Sequence, residues 1–463
     1  GRIERERYIS KDVIIKGKSY YRGYDPGEGG FALGVPGMRG RVVTFDVASM
    51  HPSSIIAENG FGKYTENFKR LLDIRLAIKH KDYDTVKSMY GGALAKYLTT
   101  KEDAKALSYA LKIAINSVYG LTAAGFKNRL RDPRNVDNWV AKRGALFMIT
   151  LMQEVEKLGY TWCHIKTDSI KIVNPDEKIS QFIIDFGKKY GYTFEVEAEY
   201  DRFCLGNDAV YISRYAKSEL NDPKDWGKWS ATGTEFKIPY VFKKLFSHEK
   251  IGLSDLCITK SSKTALYLDM NEDQEKLKAA VESGKLVGDE INPVFITQEK
   301  NKKTKEMVDI YHLMHFVGKT GLFAPIKAGR GGGVLLVRTD DKYSAVQNTK
   351  KKGKLAEGEE PVWRFLEAET IRENPDLEND ISYEYWDIMA QAAKEHIQKY
   401  GDYDLFISDA ENVLDFGAFM NLPEGSGVGA DGSGTGVDGS GAETEYEFKV
   451  PDVPVAGIGI RAA

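Results

Sequence analysis

Two aspartates sit where β-branched runs end. Asp46 closes Arg41-Val42-Val43-Thr44-Phe45, which predicts a strand delivering the acid at its tip. Asp168 lies in Thr167-Asp168-Ser169, between the alternating runs Trp162 to Lys166 and Ile170 to Val173, which predict a hairpin with the acid in its turn. A carboxylate braced by a sheet in this way can bind a metal. Taken alone, Asp168 reads equally as part of a surface turn, because Asp and Ser hydrogen-bond locally in turns. Cationic and amide side chains occur in pairs four residues apart: Arg75 with Lys79, and Lys112 with Asn116. That spacing places each pair on one helix face. Exposed charge on a solvated helix would explain either pair alone.

The elements that must position these residues follow from periodicity. Tyr24-Asp25-Pro26-Gly27-Glu28-Gly29-Gly30-Phe31 is a glycine-rich loop. Val47 to Ile55 is expected to leave the strand and turn, because Pro52 disfavours helical geometry at His51. Apolar spacing predicts helices over 68–81 and 101–118, the second stopped by Tyr119-Gly120. Two antiparallel helices would face their basic residues into a shared space. A basic loop (Lys127, Arg129, Arg131, Arg134) precedes an amphipathic helix over 139–158. A helix near 178–190 and strands at 193–198 and 208–215 follow the Asp168 hairpin. Helices alternating with hairpins predict an α+β domain, with helices on one face of an antiparallel sheet. From about 246 the pattern weakens into a separate subdomain. It carries lysine runs at 300–305 and 350–354, the glycine run Gly329 to Gly333, and helices near 361–374 and 380–400. The stretch 424–443 is low-complexity and reads as a flexible tail.

Composition bounds the rest. A chain of 463 residues can bury a large core and suggests about three subdomains. Cys163, Cys204 and Cys257 are widely spaced and form no CxxC pair, which argues against a disulfide framework or structural zinc and fits a reducing cytoplasm. No apolar run reaches membrane-spanning length, so no membrane partner is expected. A net charge of −3 is not the footprint of a nucleic-acid binder, although the basic runs are locally concentrated.

Three stretches, in order, resemble the motifs of family B DNA polymerases. Asp46-Val47-Ala48-Ser49-Met50-His51-Pro52-Ser53 resembles the first palm motif, DxxSLYPS. Lys112-Ile113-Ala114-Ile115-Asn116-Ser117-Val118-Tyr119-Gly120 matches the fingers motif KxxxNSxYG throughout. Lys166-Thr167-Asp168-Ser169 resembles the second palm motif, DTDS, with Lys166 replacing its first acid. The resemblance runs from about Tyr24 to Pro239. It implies a right-hand architecture: an antiparallel palm (41–60 and 120–245), short helical-hairpin fingers (61–119), and a thumb or C-terminal subdomain (246–415). A template-loop segment (1–40) would precede these, and the flexible tail (416–463) would follow.

The implied activity is template-directed addition of dNTPs to a primer 3′-hydroxyl, with release of pyrophosphate. Two Mg²⁺ ions, replaceable by Mn²⁺, would support it on Asp46, Asp168, the Val47 carbonyl and, as third acid, Glu197. Arg75, Lys79, Lys112 and Asn116 would hold the triphosphate, with Lys112 also protonating the leaving group. Ser49, His51 and Tyr119 would line the nucleotide site. DNA contacts are implied for Tyr24, Gly29 and Gly30 (a loose YxGG), for Lys166, for Tyr211 (in place of KKxY) and for Gly233 (in place of KGxE). His51 replaces the tyrosine that excludes ribose, so weaker exclusion of ribonucleotides is expected. Proofreading would come from a separate exonuclease or a removed segment, and a processivity partner is compatible with this reading. Compactness suggests a phage-type enzyme acting in a host cytoplasm. The missing lysines and Lys166 leave a second reading open: a degenerate polymerase that binds primer-template without catalysis. A two-carboxylate hydrolase would leave the KxxxNSxYG helix unexplained.

Overall fold

The computed structural model describes residues 14–15, 18–27, 29–130, 138–301, 304–340, 342–346, 362–409 and 448–449. Arg131, Arg134, the lysine run at 350–354 and the tail at 416–463 lie outside these, apart from the short strand Phe448–Lys449. The chain divides into two compact units, one holding the described residues up to Phe236 and those from Lys394 to Asp409, the other those from Lys237 to Ala393 with 448–449. The second unit thus begins at Lys237, nine residues before the 246 drawn from the sequence, and Lys394 to Asp409 return to the first unit.

The first unit is built on one antiparallel sheet. Its strands are β1 (Ala32–Gly34), β2 (Gly37–Arg39), β3 (Val42–Val47), β4 (Thr161–Lys166), β5 (Ser169–Val173), β6 (Phe194–Asn207), β7 (Val210–Tyr215) and β8 (Trp229–Thr232). The order is β8-β7-β6-β3-β5-β4-β1, with β2 also paired to β6. Strand alternation decides which side chains face which way. Val43, Phe45, Val47, Ile165, Ile170 and Ile172 share a core with Leu146, Phe147, Ile149 and Ile183 of two covering helices. These are α5 (Trp139–Lys157) and α6 (Glu177–Lys189). The alternate residues Thr44, Asp46, Ser169 and Lys171 therefore point to the opposite face, where Asp46 is paired with Ser169 and Thr44 with Lys171.

Helices α1 (Met50–Ala57), α2 (Thr65–Lys79), α3 (Tyr83–Ser88) and α4 (Lys101–Ala123) lie between β3 and α5 in the chain. Phe68 and Leu72 of α2 share a core with Ile115 of α4, while Ile74 and Ile78 meet Ala104, so the two helices run antiparallel as expected. Thr100 and Asp103 form a reciprocal capping box that fixes where α4 begins. Two local expectations change. Pro52 does not prevent a helix: it sits in the first turn of α1, where an N–H has no intrahelical acceptor to lose. Gly120 does not end α4, which continues to Ala123, because a glycine stops a helix only in the left-handed conformation.

The second unit is richer in strands than its weak pattern suggested. Ile258–Asp269 and the twenty-residue strand Met307–Ile326 form the centre of an antiparallel sheet with Val294–Lys300, Val334–Thr339, Lys342–Ala345 and Arg364–Glu367. Helix Tyr383–Gln398 falls in the region expected to be helical at 380–400, whereas of the helix expected near 361–374 only Ala368–Glu373 forms, the residues before it making the strand Arg364–Glu367. The glycine run has a structural use: the amides of Gly329 and Gly331 donate to the Glu272 carboxylate at 2.8 and 2.6 Å.

Candidate active site

The Asp168 hairpin is a two-residue turn. Thr167 adopts a left-handed backbone (φ 55°), unusual for a β-branched residue, and is held there by its amide donating to the Phe31 carbonyl at 2.7 Å. Gly30 packs against the Thr167 side chain so closely that a Cβ would lie 2.8 Å from its hydroxyl. The glycine-rich loop therefore braces the turn that carries Asp168. Ser49, three residues past Asp46, is left-handed as well (φ 59°), so backbone strain flanks both acids. The Val47 amide donates to the Asp168 carbonyl at 2.8 Å, tying the two acidic segments together.

A pocket of about 550 Å³ gathers the predicted residues. Its lining includes Asp46, Val47, Ser49, His51, Arg75, Lys79, Lys112, Asn116, Tyr119 and Asp168. These come from β3, α1, α2, α4 and the β4–β5 turn. Burial, then the charges of Asp168 and Glu197, push the Asp46 carboxyl up to about 7. Burial likewise raises Asp168. His51 packs on the Tyr119 ring with centroids 4.8 Å apart, and burial lowers its pKa, favouring the neutral imidazole. The Tyr119 hydroxyl donates to Asn138 Oδ1 at 3.2 Å. Arg75 donates to the Ser49 hydroxyl at 3.0 Å.

Other predicted residues lie outside this lining. Lys166 is exposed at the end of β4, and its carbonyl accepts from the Asp168 amide at 2.7 Å. Tyr24 packs edge-on against Phe31, and Gly29 belongs to the loop that braces the turn. Gly233 (φ 89°) is required by packing, since a Cβ there would lie 2.6 Å from the Ala209 carbonyl. Glu197 occupies a β-bulge, where the β3–β6 register shifts between Thr44 and Phe45. It influences Asp46 electrostatically but does not line the pocket. Among the described residues no group of three or more His, Cys, Asp or Glu side chains could hold a metal ion, so the expected three-acid set is not assembled.

Two residues were missed in the sequence. Lys171 is only 4% exposed, on the acid-bearing face of β5. Burial lowers its pKa, while Cys163, Glu197, Asp46 and Asp168 oppose that shift. Its ammonium lies 5.2 Å from the Tyr211 ring centroid, and that ring packs against Phe203 and His164. Tyr211 is thus part of the support for a buried cation. The polar residue between Ile170 and Ile172 was the available signal. Glu195, directly opposite Asp46 in the sheet, accepts from Lys79 and from His80, the latter at 3.0 Å. No sequence signal distinguishes it from Glu197 or Glu199; the bulge does.

No protein-family model matches the chain, and no curated protein sequence matches it. A structural comparison finds a family B DNA polymerase from the hyperthermophilic archaeon Pyrobaculum calidifontis, at TM-score 0.35 and 14% identity. The match covers 82% of this chain and 46% of that one, so this chain spans less than half the length of that structure. No described helix is long and apolar enough to cross a membrane.

Proposed function

We propose that this chain is a DNA-directed DNA polymerase of the family B kind, acting on primer-template DNA and dNTPs. The observation that carries the reading is the single pocket shared by two carboxylates and by cationic and amide side chains from two antiparallel helices. The oxygen donors Asp46, Asp168 and the Val47 carbonyl suit Mg²⁺, which prefers oxygen and retains water. When bound, the metal would supply the positive charge that the mutually repelling acids lack and would stabilise charge developing on phosphate oxygens.

The chain's own residues would do the positioning. Arg75, Lys79, Lys112 and Asn116 would hold a triphosphate from the helical side, aligning its α-phosphorus with a primer 3′-oxygen. The O3′–Pα bond forms as the 3′-hydroxyl gives its proton to solvent and the bond from Pα to the bridging oxygen breaks, its electron pair leaving with pyrophosphate. The Lys112 ammonium can donate a proton to it. The His51–Tyr119 ring pair would form an apolar wall against sugar and base. Buried Lys171 offsets part of the acidic repulsion from beneath.

Primer extension with Mg²⁺ and dNTPs tests the proposal by comparing wild type with Asp46→Ala and Asp168→Ala. Extension by the wild type, lost in both variants, is expected. Binding of primer-template without extension by the wild type would instead support the degenerate reading, and absence of DNA binding would sink both.

A further inference from the structure

Lys79, assigned above to the triphosphate, already has an anionic partner. Its ammonium is bonded to one oxygen of Glu195, and His80 Nε2 lies 3.0 Å from the other. Glu195 pairs across the sheet with Asp46, so this carboxylate stands beside the acids and draws the end of α2 onto β6. The two contacts occupy both oxygens of the Glu195 carboxylate. A second tie runs from Arg75, one turn earlier, to Ser49. Two cations of the helical side are therefore fastened to the sheet side through groups a phosphate could replace. Only one of those groups carries a charge.

We propose that Glu195 is a positioning residue that stands in for the nucleotide's phosphate, holding Lys79 and the end of α2 over the pocket until the triphosphate displaces it. The proposal rests on the polymerase reading and adds a competitor internal to the chain. An incoming triphosphate must take Lys79 from Glu195 and tolerate the carboxylate's negative charge nearby. Removing that charge while keeping the side chain's size and a hydrogen-bond acceptor for His80 should therefore tighten nucleotide binding. Because Lys79 is half exposed, the effect belongs to the range of surface ion pairs, about two- to fivefold in Kd. It should shrink as salt rises.

The test is equilibrium binding of the matched dNTP, with Mg²⁺, to the full chain on a 3′-dideoxy-terminated primer-template, which permits binding without chemistry. Glu195→Gln is expected to bind about two- to fivefold more tightly than wild type. In a Lys79→Met background the same substitution should give a clearly smaller gain, since the carboxylate's repulsion is still relieved but no ammonium remains to be released. A spectroscopic distance between the end of α2 and β6 should lengthen in nucleotide-free Glu195→Gln, a change that altered affinity alone would not produce. Melting curves of each variant confirm folding. Unchanged or weaker binding by Glu195→Gln, or a gain undiminished in the Lys79→Met background, overturns the role of Glu195 while leaving the polymerase reading intact. Failure of the wild type to bind the nucleotide overturns both.

Discussion

Asp46→Asn should stabilise the metal-free protein, and more so at alkaline than at acidic pH. Asp46 titrates near 7 in the folded chain against 3.8 for a free side chain. A carboxyl raised on folding makes the native state hold the extra proton between those values. Stability therefore falls as pH rises from about 4 to about 7, and the full penalty persists above. A shift of this size corresponds to roughly 4 kcal/mol at about 1.4 kcal/mol per unit. Solvent reaches the pocket and screens the charges, so about half of that, roughly 2 kcal/mol, is expected at pH 8. At pH 5 the native carboxyl is already protonated, and the remaining penalty, after the same discount, is less than about 1 kcal/mol. Asparagine cannot ionise and carries neither penalty. Urea unfolding of wild type and Asp46→Asn with chelator, at pH 5 and pH 8, measures the difference directly. Equal gains at the two pH values, or no gain at pH 8, would refute the argument that desolvation and acidic neighbours govern this carboxyl.

The remaining predictions concern its neighbours. Lys171→Met removes a buried countercharge beneath the acids and should destabilise the metal-free protein by about 2 kcal/mol or more at pH 8, with added Mg²⁺ recovering part of the loss; thermal melts with and without Mg²⁺ check this. His51→Tyr should strengthen discrimination against ribonucleotides, because a phenol fills more of the sugar wall than an imidazole. Equal ribo-to-deoxy ratios of kcat/KM for wild type and variant would contradict it. Ile115→Ala, which opens the shared core of α2 and α4, should lower stability by about 2–5 kcal/mol and weaken nucleotide binding more than primer-template binding.

By itself the sequence determined the local frame. Alternation along Val42 to Val47 and Ser169 to Val173 placed Asp46 at a strand end and Asp168 in a hairpin turn, because strand side chains alternate with period two. Four-residue spacing put Arg75 with Lys79 and Lys112 with Asn116 on helix faces, because a helix repeats every 3.6 residues. These are short-range rules, and residue types suffice to state them. The second unit was less legible, because its long strands are half exposed and gain their stability from partners distant in the chain.

Tertiary structure decided what depends on pairing register and burial. Glu195, Glu197 and Glu199 are indistinguishable at period two; one bulge separates the residue that bonds Lys79 and His80 from the residue that only influences Asp46 electrostatically. Lys171 reads as an ordinary strand lysine until the sheet buries it beside two aspartates. Gly30 and Gly233 read as ligand-loop glycines until the backbone and side chains packed against them become visible. A chain segment specifies its own periodicity, but the electric field and the free space at a side chain belong to the segments folded against it.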